Sequence, residues 1–208
     1  MKKLSVLLIP VLILSMLFTS CDRSYDEAVV KAAAQDLLEK STLVNDIFYG
    51  VGLPYDDMNT SLASGKYKPA SDEYLSSIGI SNIQGLKSLA KEVYTDELCE
   101  IIFKNTFEAV KDSSGDIVIF ARYGERVTET RSHILVYSDL APAYENEVEY
   151  LYDTLSVIGA EGDYIHIKID VKLTSFDGLR SRIEHGAEFI LFEEADGFRL
   201  DSLSFVKY

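Results

Sequence analysis

The sequence predicts an α+β fold, with N-terminal helices packed on a curved antiparallel sheet of about five to six strands. Three observations predict it. Up to about residue 110, apolar residues recur at helical spacing, and capping residues stand where each stretch begins. From residue 117 onward the spacing changes to alternation, the period of a half-buried strand. Turns separate these later runs, so the strands pair antiparallel and leave the helices together on one face.

The first helix opens at Ser24-Tyr25-Asp26-Glu27, which fits a capping box. Val30, Ala33, Ala34, Leu37 and Leu38 mark its apolar stripe. Leu43, Val44, Ile47 and Phe48 continue it, and Gly50, Gly52 and Pro54 stop it. Residues 50–80 read as a connection of about 30 residues, long for a compact domain, either a lid or a disordered loop, with a short helical turn near residues 71–75. Asn82 caps a second helix with Ile83, Leu86, Leu89, Ala90 and Val93 inward. Thr95 caps a third, running to about Val110.

Asp112-Ser113-Ser114-Gly115 is a turn. Strands are expected over 117–123 and 132–138. Another is expected over 147–158, although Leu151 and Leu155 also suit a helix. From 164 to 173, Ile165, Ile167, Ile169, Val171 and Leu173 alternate with His166, Lys168, Asp170 and Lys172, giving one buried and one wet face. A strand over 182–194, a hairpin turn at Ala195-Asp196-Gly197 and a last strand over 198–207, bulged near Ser202, complete the sheet.

The chain begins as an export signal. Lys2 and Lys3 precede 15 residues, Leu4 to Phe18, that are apolar apart from Ser5, Pro10 and Ser15. That is short of the roughly 20 needed to span a bilayer. Phe18-Thr19-Ser20-Cys21 resembles a lipobox, with Phe18 where Leu is usual. The resemblance implies cleavage after residue 20 and diacylglyceryl attachment at Cys21. Two acyl chains would hold the protein stably, since each buried methylene contributes about 0.8 kcal/mol. The expected organisation is a signal peptide over 1–20, a lipidated tether over 21–23 and a single domain over 24–208. The location is extracytoplasmic, and the membrane is a partner through the N-terminal lipid.

Without the signal, 188 of the 208 residues remain, with 18 Lys+Arg against 34 Asp+Glu and a formal charge of −16. Such a surface repels nucleic acid, which is not expected as a partner. Cys99 is left without a disulfide partner, and no His lies near it in sequence to activate it, so it reads as a small buried thiol. His133, His166 and His185 do not follow metal-ligand spacing. Asp56-Asp57 and Asp112–Asp116 lack the closing Glu of a calcium loop. No catalytic residue, metal or cofactor is therefore assigned. Arg199 and Asp201 are expected to pair along the last strand. The binding candidates are Tyr49, Tyr55, Tyr67 and Tyr74 on the long connection, because Tyr supplies contact area at low entropic cost, together with Arg122 and Tyr123.

Helices followed by long antiparallel strands over about residues 83–208 resemble the NTF2-like or cystatin-like architecture, a bent sheet around a helix. Leu89-Ala90-Lys91-Glu92-Val93-Tyr94-Thr95, Ala121-Arg122-Tyr123 and Gly197-Phe198-Arg199-Leu200-Asp201-Ser202 resemble a group of secreted or lipid-anchored proteins of Gram-positive bacteria. That group includes inhibitors of cell-wall DL-endopeptidases, and Phe198 stands where its members commonly have Trp. This second resemblance implies a non-enzymatic binding module acting on a cell-wall hydrolase, and it carries no inhibitory residue onto this chain. A small-molecule or isomerase/hydratase-type pocket protein and a structural envelope lipoprotein stay open as alternatives.

Overall fold

The computed structural model describes residues 25–144 and 146–204. The export signal, Cys21 and the expected Ser24 cap lie outside that range. Helix α1 (Glu27–Phe48) is capped by Asp26, whose carboxylate accepts from the amides of Ala28 and Val29. Its buried stripe runs through Val30, Ala34, Leu37, Leu38, Val44, Ile47 and Phe48. Among the described residues, no helix is long and apolar enough to cross a membrane.

Residues 50–80 are integrated into the fold. Strand β1 (Tyr67–Pro69) pairs with β5 (Ser132–Tyr137) at a sheet edge, where the missing Pro69 N–H breaks no ladder. Helix α2 (Asp72–Ser77) is capped by Ser71. The expected Asn82 cap opens α3 (Ile83–Lys91), and Thr95 opens α4 (Asp96–Phe107). Helix α4 stops before Val110 because β2 (Val110–Lys111) turns back at Asp112 to pair with β3 (Ile117–Ile119). The Asp112 carboxylate accepts the amides of Ser114 and Asp116 in that turn.

The α+β class holds, but the strands form three sheets. The strand expected over 117–123 divides. Ile117–Ile119 belongs to the β2–β3 hairpin, whereas β4 (Tyr123–Val127) joins β5 (Ser132–Tyr137). Between them the chain changes partner: the Arg122 amide bonds Thr106 and the Arg122 carbonyl accepts from Tyr137. After β5 the segment through Pro142 leaves this sheet, and the Ala143 amide bonds the Tyr49 carbonyl at the end of α1. Alternation alone does not show which neighbour a strand takes, and here it changes twice.

The four-stranded sheet is a meander of β6 (Asn146–Glu161), β7 (Tyr164–Ser175), β8 (Ser181–Glu194) and β9 (Gly197–Leu200). Ile165, Ile167, Ile169, Val171 and Leu173 are each 2% exposed or less, and they join the core with the α1 stripe. Each buried side chain of this size contributes about 1.5–3 kcal/mol relative to exposure. Strand β6 settles the ambiguity at Leu151 and Leu155. A bulge there is bridged by the Thr154 hydroxyl, which donates to the Leu151 carbonyl and accepts the Asp170 amide. In β8, Gly186 takes φ +68° at a bulge, and a Cβ at that position would collide with the Lys168 side chain.

The last strand ends at Leu200, earlier than expected. Leu200 is gripped from both sides, by Leu191 across the ladder and by the backbone of Val93 and Thr95. Ser202 then supplies a hydroxyl, not a main-chain carbonyl, to the Ile190 amide.

Candidate functional site

Arg122 and Tyr123 are interior residues that close the C-terminus of α1. Arg122 Nε donates to the Ile47 carbonyl at 2.8 Å, and its Nη2 donates to that of Gly50. The Tyr123 hydroxyl donates to the Ile47 carbonyl at 2.6 Å and accepts the Leu53 amide at 3.0 Å. The last carbonyls of a helix have no intrahelical partner, and these two side chains supply donors that water would otherwise provide. Both residues are buried, so neither presents a recognition group at the surface.

The four loop tyrosines do not form one patch. Tyr49 and Tyr74 pack against the core, and burial pushes the Tyr49 hydroxyl up to about 12. Tyr55 lies under Lys68, whose ammonium is 4.5 Å from the ring centroid and also pairs with Asp57. Tyr67 enters a larger aromatic group. Its hydroxyl donates to Ala121, and its ring lies 5.6 Å from Tyr137 and 6.5 Å from Phe120. Phe120 and Tyr137 stack at 4.8 Å with 9° between planes. Lys66 stands 5.8 Å from both ring centroids and pairs with Asp139 at 2.8 Å.

This cluster sits at the foot of the β2–β3 hairpin, which carries further apolar side chains into solvent. Val110, Ile117, Val118, Ile119 and Phe120 are between 37 and 60% exposed. The pattern is unusual for a marginal strand. Ile117 and Ile119 face one way and Val118 and Phe120 the other, so both faces are apolar, as in the centre of a sheet. Sequence reasoning found Tyr67 but missed Phe120, Tyr137 and Lys66. The signal was present in the unbroken run Ile117-Val118-Ile119-Phe120, which reads equally well as a buried strand.

A second feature is a cleft of about 270 Å³ between α1 and β6, lined by Asp46, Tyr144, Glu147, Phe176 and the edge of a buried polar network. In that network the Asn45 amide donates to Ser204 Oγ at 2.8 Å and Tyr94 donates to Asn45 Oδ1 at 2.7 Å. Tyr144 donates to Asp46, and burial with that carboxylate raises its pKa well above the ordinary tyrosine value.

Other candidate groups have structural duties. Cys99 is fully buried against the Tyr94 carbonyl, and desolvation pushes its thiol up to about 12. His185 Nδ1 lies 2.8 Å from Asp170, whose other oxygen accepts the Gly186 amide and so braces the β8 bulge. Its bond to His185 holds Asp170 below the usual carboxylate range. Arg199 pairs with Asp196 at 3.2 Å and bonds the Lys91 carbonyl. Its expected partner Asp201 instead accepts from Thr95 at 2.6 Å, because the strand ends before Asp201. Among the described residues, no three His, Cys, Asp or Glu side chains gather to hold a metal. No protein-family model and no curated protein matches the sequence.

Proposed function

We propose that the protein is a lipid-anchored, extracytoplasmic binding module that recognises a protein of the cell envelope, with a cell-wall hydrolase as the foremost candidate. The observation that carries this reading is the aromatic group in which exposed Phe120 packs with half-buried Tyr67 and Tyr137. Rigid aromatic side chains at a surface are the usual anchors of protein recognition. The lipobox-like Phe18-Thr19-Ser20-Cys21, and the resemblance of short motifs to a group of proteins that includes endopeptidase inhibitors, support the location and the partner class.

An NTF2-like pocket protein is the second reading, favoured by the cleft beside Asp46 and by a long meander packed on α1. Proton-transfer chemistry inside such a cone needs an acid–base pair on the inner sheet face. On β7 that face carries Ile165, Ile167, Ile169 and Val171, which weighs toward the binding module.

The test is peptidoglycan hydrolysis by a purified DL-endopeptidase with and without the mature lipoprotein. The reading expects dose-dependent loss of hydrolysis and a stable complex on sizing. Unchanged hydrolysis with no complex removes the hydrolase as partner.

A further inference from the structure

We infer that the outer edge of the β2–β3 hairpin, with Phe120 at its foot, is a docking strand for an extended, apolar segment of the partner protein bearing basic residues at its ends. This deepens the binding-module reading and rests on it.

Three observations point there. Among the described residues, the strand Ile117–Ile119 pairs only with β2, in a two-stranded sheet separate from the others, and no described strand lies beside its other edge. Isolated two-stranded hairpins are marginal in water, and an unpaired edge is a template for a further strand. The side chains on both faces of β3 are apolar and exposed, so an added strand would gain main-chain hydrogen bonds and cover side chains together. The aromatic stack of Phe120 on Tyr137 gives that strand a preorganised anchor at one end.

Charge selects the occupant. Residues 108–120 carry Glu108, Asp112 and Asp116 against Lys111, on a chain whose acids greatly outnumber its bases. A second copy would bring these like charges together, whereas a segment with lysine or arginine at its ends complements them. Position argues against lipid as the occupant. The hairpin foot lies at the C-terminal end of α1, where Arg122 meets Ile47. The described chain begins at the other end of a 22-residue helix, about 33 Å away. An anchor at Cys21 would join the described chain at the end of α1 remote from the hairpin foot.

The experiment uses the mature acylated protein in phosphatidylcholine nanodiscs and labelled peptides alternating valine with threonine, measured by fluorescence anisotropy. The lysine-ended peptide should bind saturably. A glutamate-ended peptide should bind at least about tenfold more weakly. A proline at the peptide centre should abolish binding, since it removes a ladder donor. Hydrogen exchange should slow at residues 117–119 in the complex. The paired substitution Ile117→Lys and Ile119→Lys should abolish binding without lowering Tm, because both side chains are exposed, and Phe120→Ala should weaken it about tenfold. Should that double variant instead fall in Tm, Val118→Lys, exposed on the opposite face of β3, replaces it and should likewise abolish binding.

Equal binding of both charged peptides, no binding at all, or protection elsewhere overturns the inference. So does concentration-dependent dimerisation abolished by the double variant, which would make a second copy the occupant, or attachment of signal-free, non-acylated protein to phosphatidylcholine vesicles that the same substitutions abolish, which would make it lipid. A double variant that still suppresses the hydrolase would sink the docking strand and leave the binding-module reading standing. Peptide binding without any effect on the hydrolase would do the reverse for the choice of partner.

Discussion

The Tyr123 hydroxyl sits between the Ile47 carbonyl and the Leu53 amide, at 2.6 and 3.0 Å, and so ties the end of α1 to the chain that leaves it. The two bonded residues are 76 and 70 positions away in sequence, so this joint forms only once β4 has reached the helix. Arg122 works on the same carbonyl from the preceding position.

Tyr123→Phe should lower stability by about 1–3 kcal/mol, because the buried Leu53 amide loses its acceptor while Ile47 keeps Arg122. Chemical denaturation with an unchanged m-value checks this. A change below a few tenths of a kcal/mol would show that the joint contributes little.

Ile167→Ala should cost about 2–5 kcal/mol, since Ile167 of β7 is fully buried in the core. Ile183→Ala, in β8 but half exposed, should cost much less. Comparable losses at the two sites would contradict the assignment of faces.

Cys99 should resist thiol reagents in the native protein and react at once on unfolding. Its thiol stays protonated far above neutral pH and is shut away from solvent. Mass spectrometry after brief exposure to iodoacetamide, with and without denaturant, distinguishes the two states.

Stability should hold near neutral pH and fall in alkali. Burial raises the folded-state pKa of Tyr49 and Tyr152 to about 12, above the ordinary tyrosine value of 10.0. A folded pKa above the unfolded one adds stability that is intact below about pH 10 and is lost as pH rises toward 12. Denaturation midpoints across this window, with tyrosinate absorbance as a second readout, should show buried tyrosines ionising together with unfolding.

Cys21→Ala should abolish incorporation of labelled palmitate and retain the uncleaved precursor. Equal labelling of wild type and variant would remove the anchor, and with it the envelope location.

Local patterns reported local structure well. Asn82 and Thr95 cap their helices because a short side-chain acceptor needs only the next turn of its own chain. The alternation at 165–173 named the buried face of β7 correctly because strand geometry imposes a period of two whatever lies beside it. The long connection was harder to read. Tyr67–Pro69 becomes a strand because β5 is there to receive it, and three residues ending in proline carry no such information.

Short-range spacing and side-chain polarity are enough to specify the class of the fold, the capped starts of α3 and α4, the inward face of β7 and the burial of Cys99. Long-range packing is what divides the strands among three sheets. It also turned Arg122 and Tyr123 inward to close α1 and left Ile117–Phe120 in solvent. Those outcomes depend on which distant segment fills each hydrogen-bonding edge, and an apolar strand looks the same in sequence whether its neighbour is in the chain or still to be bound.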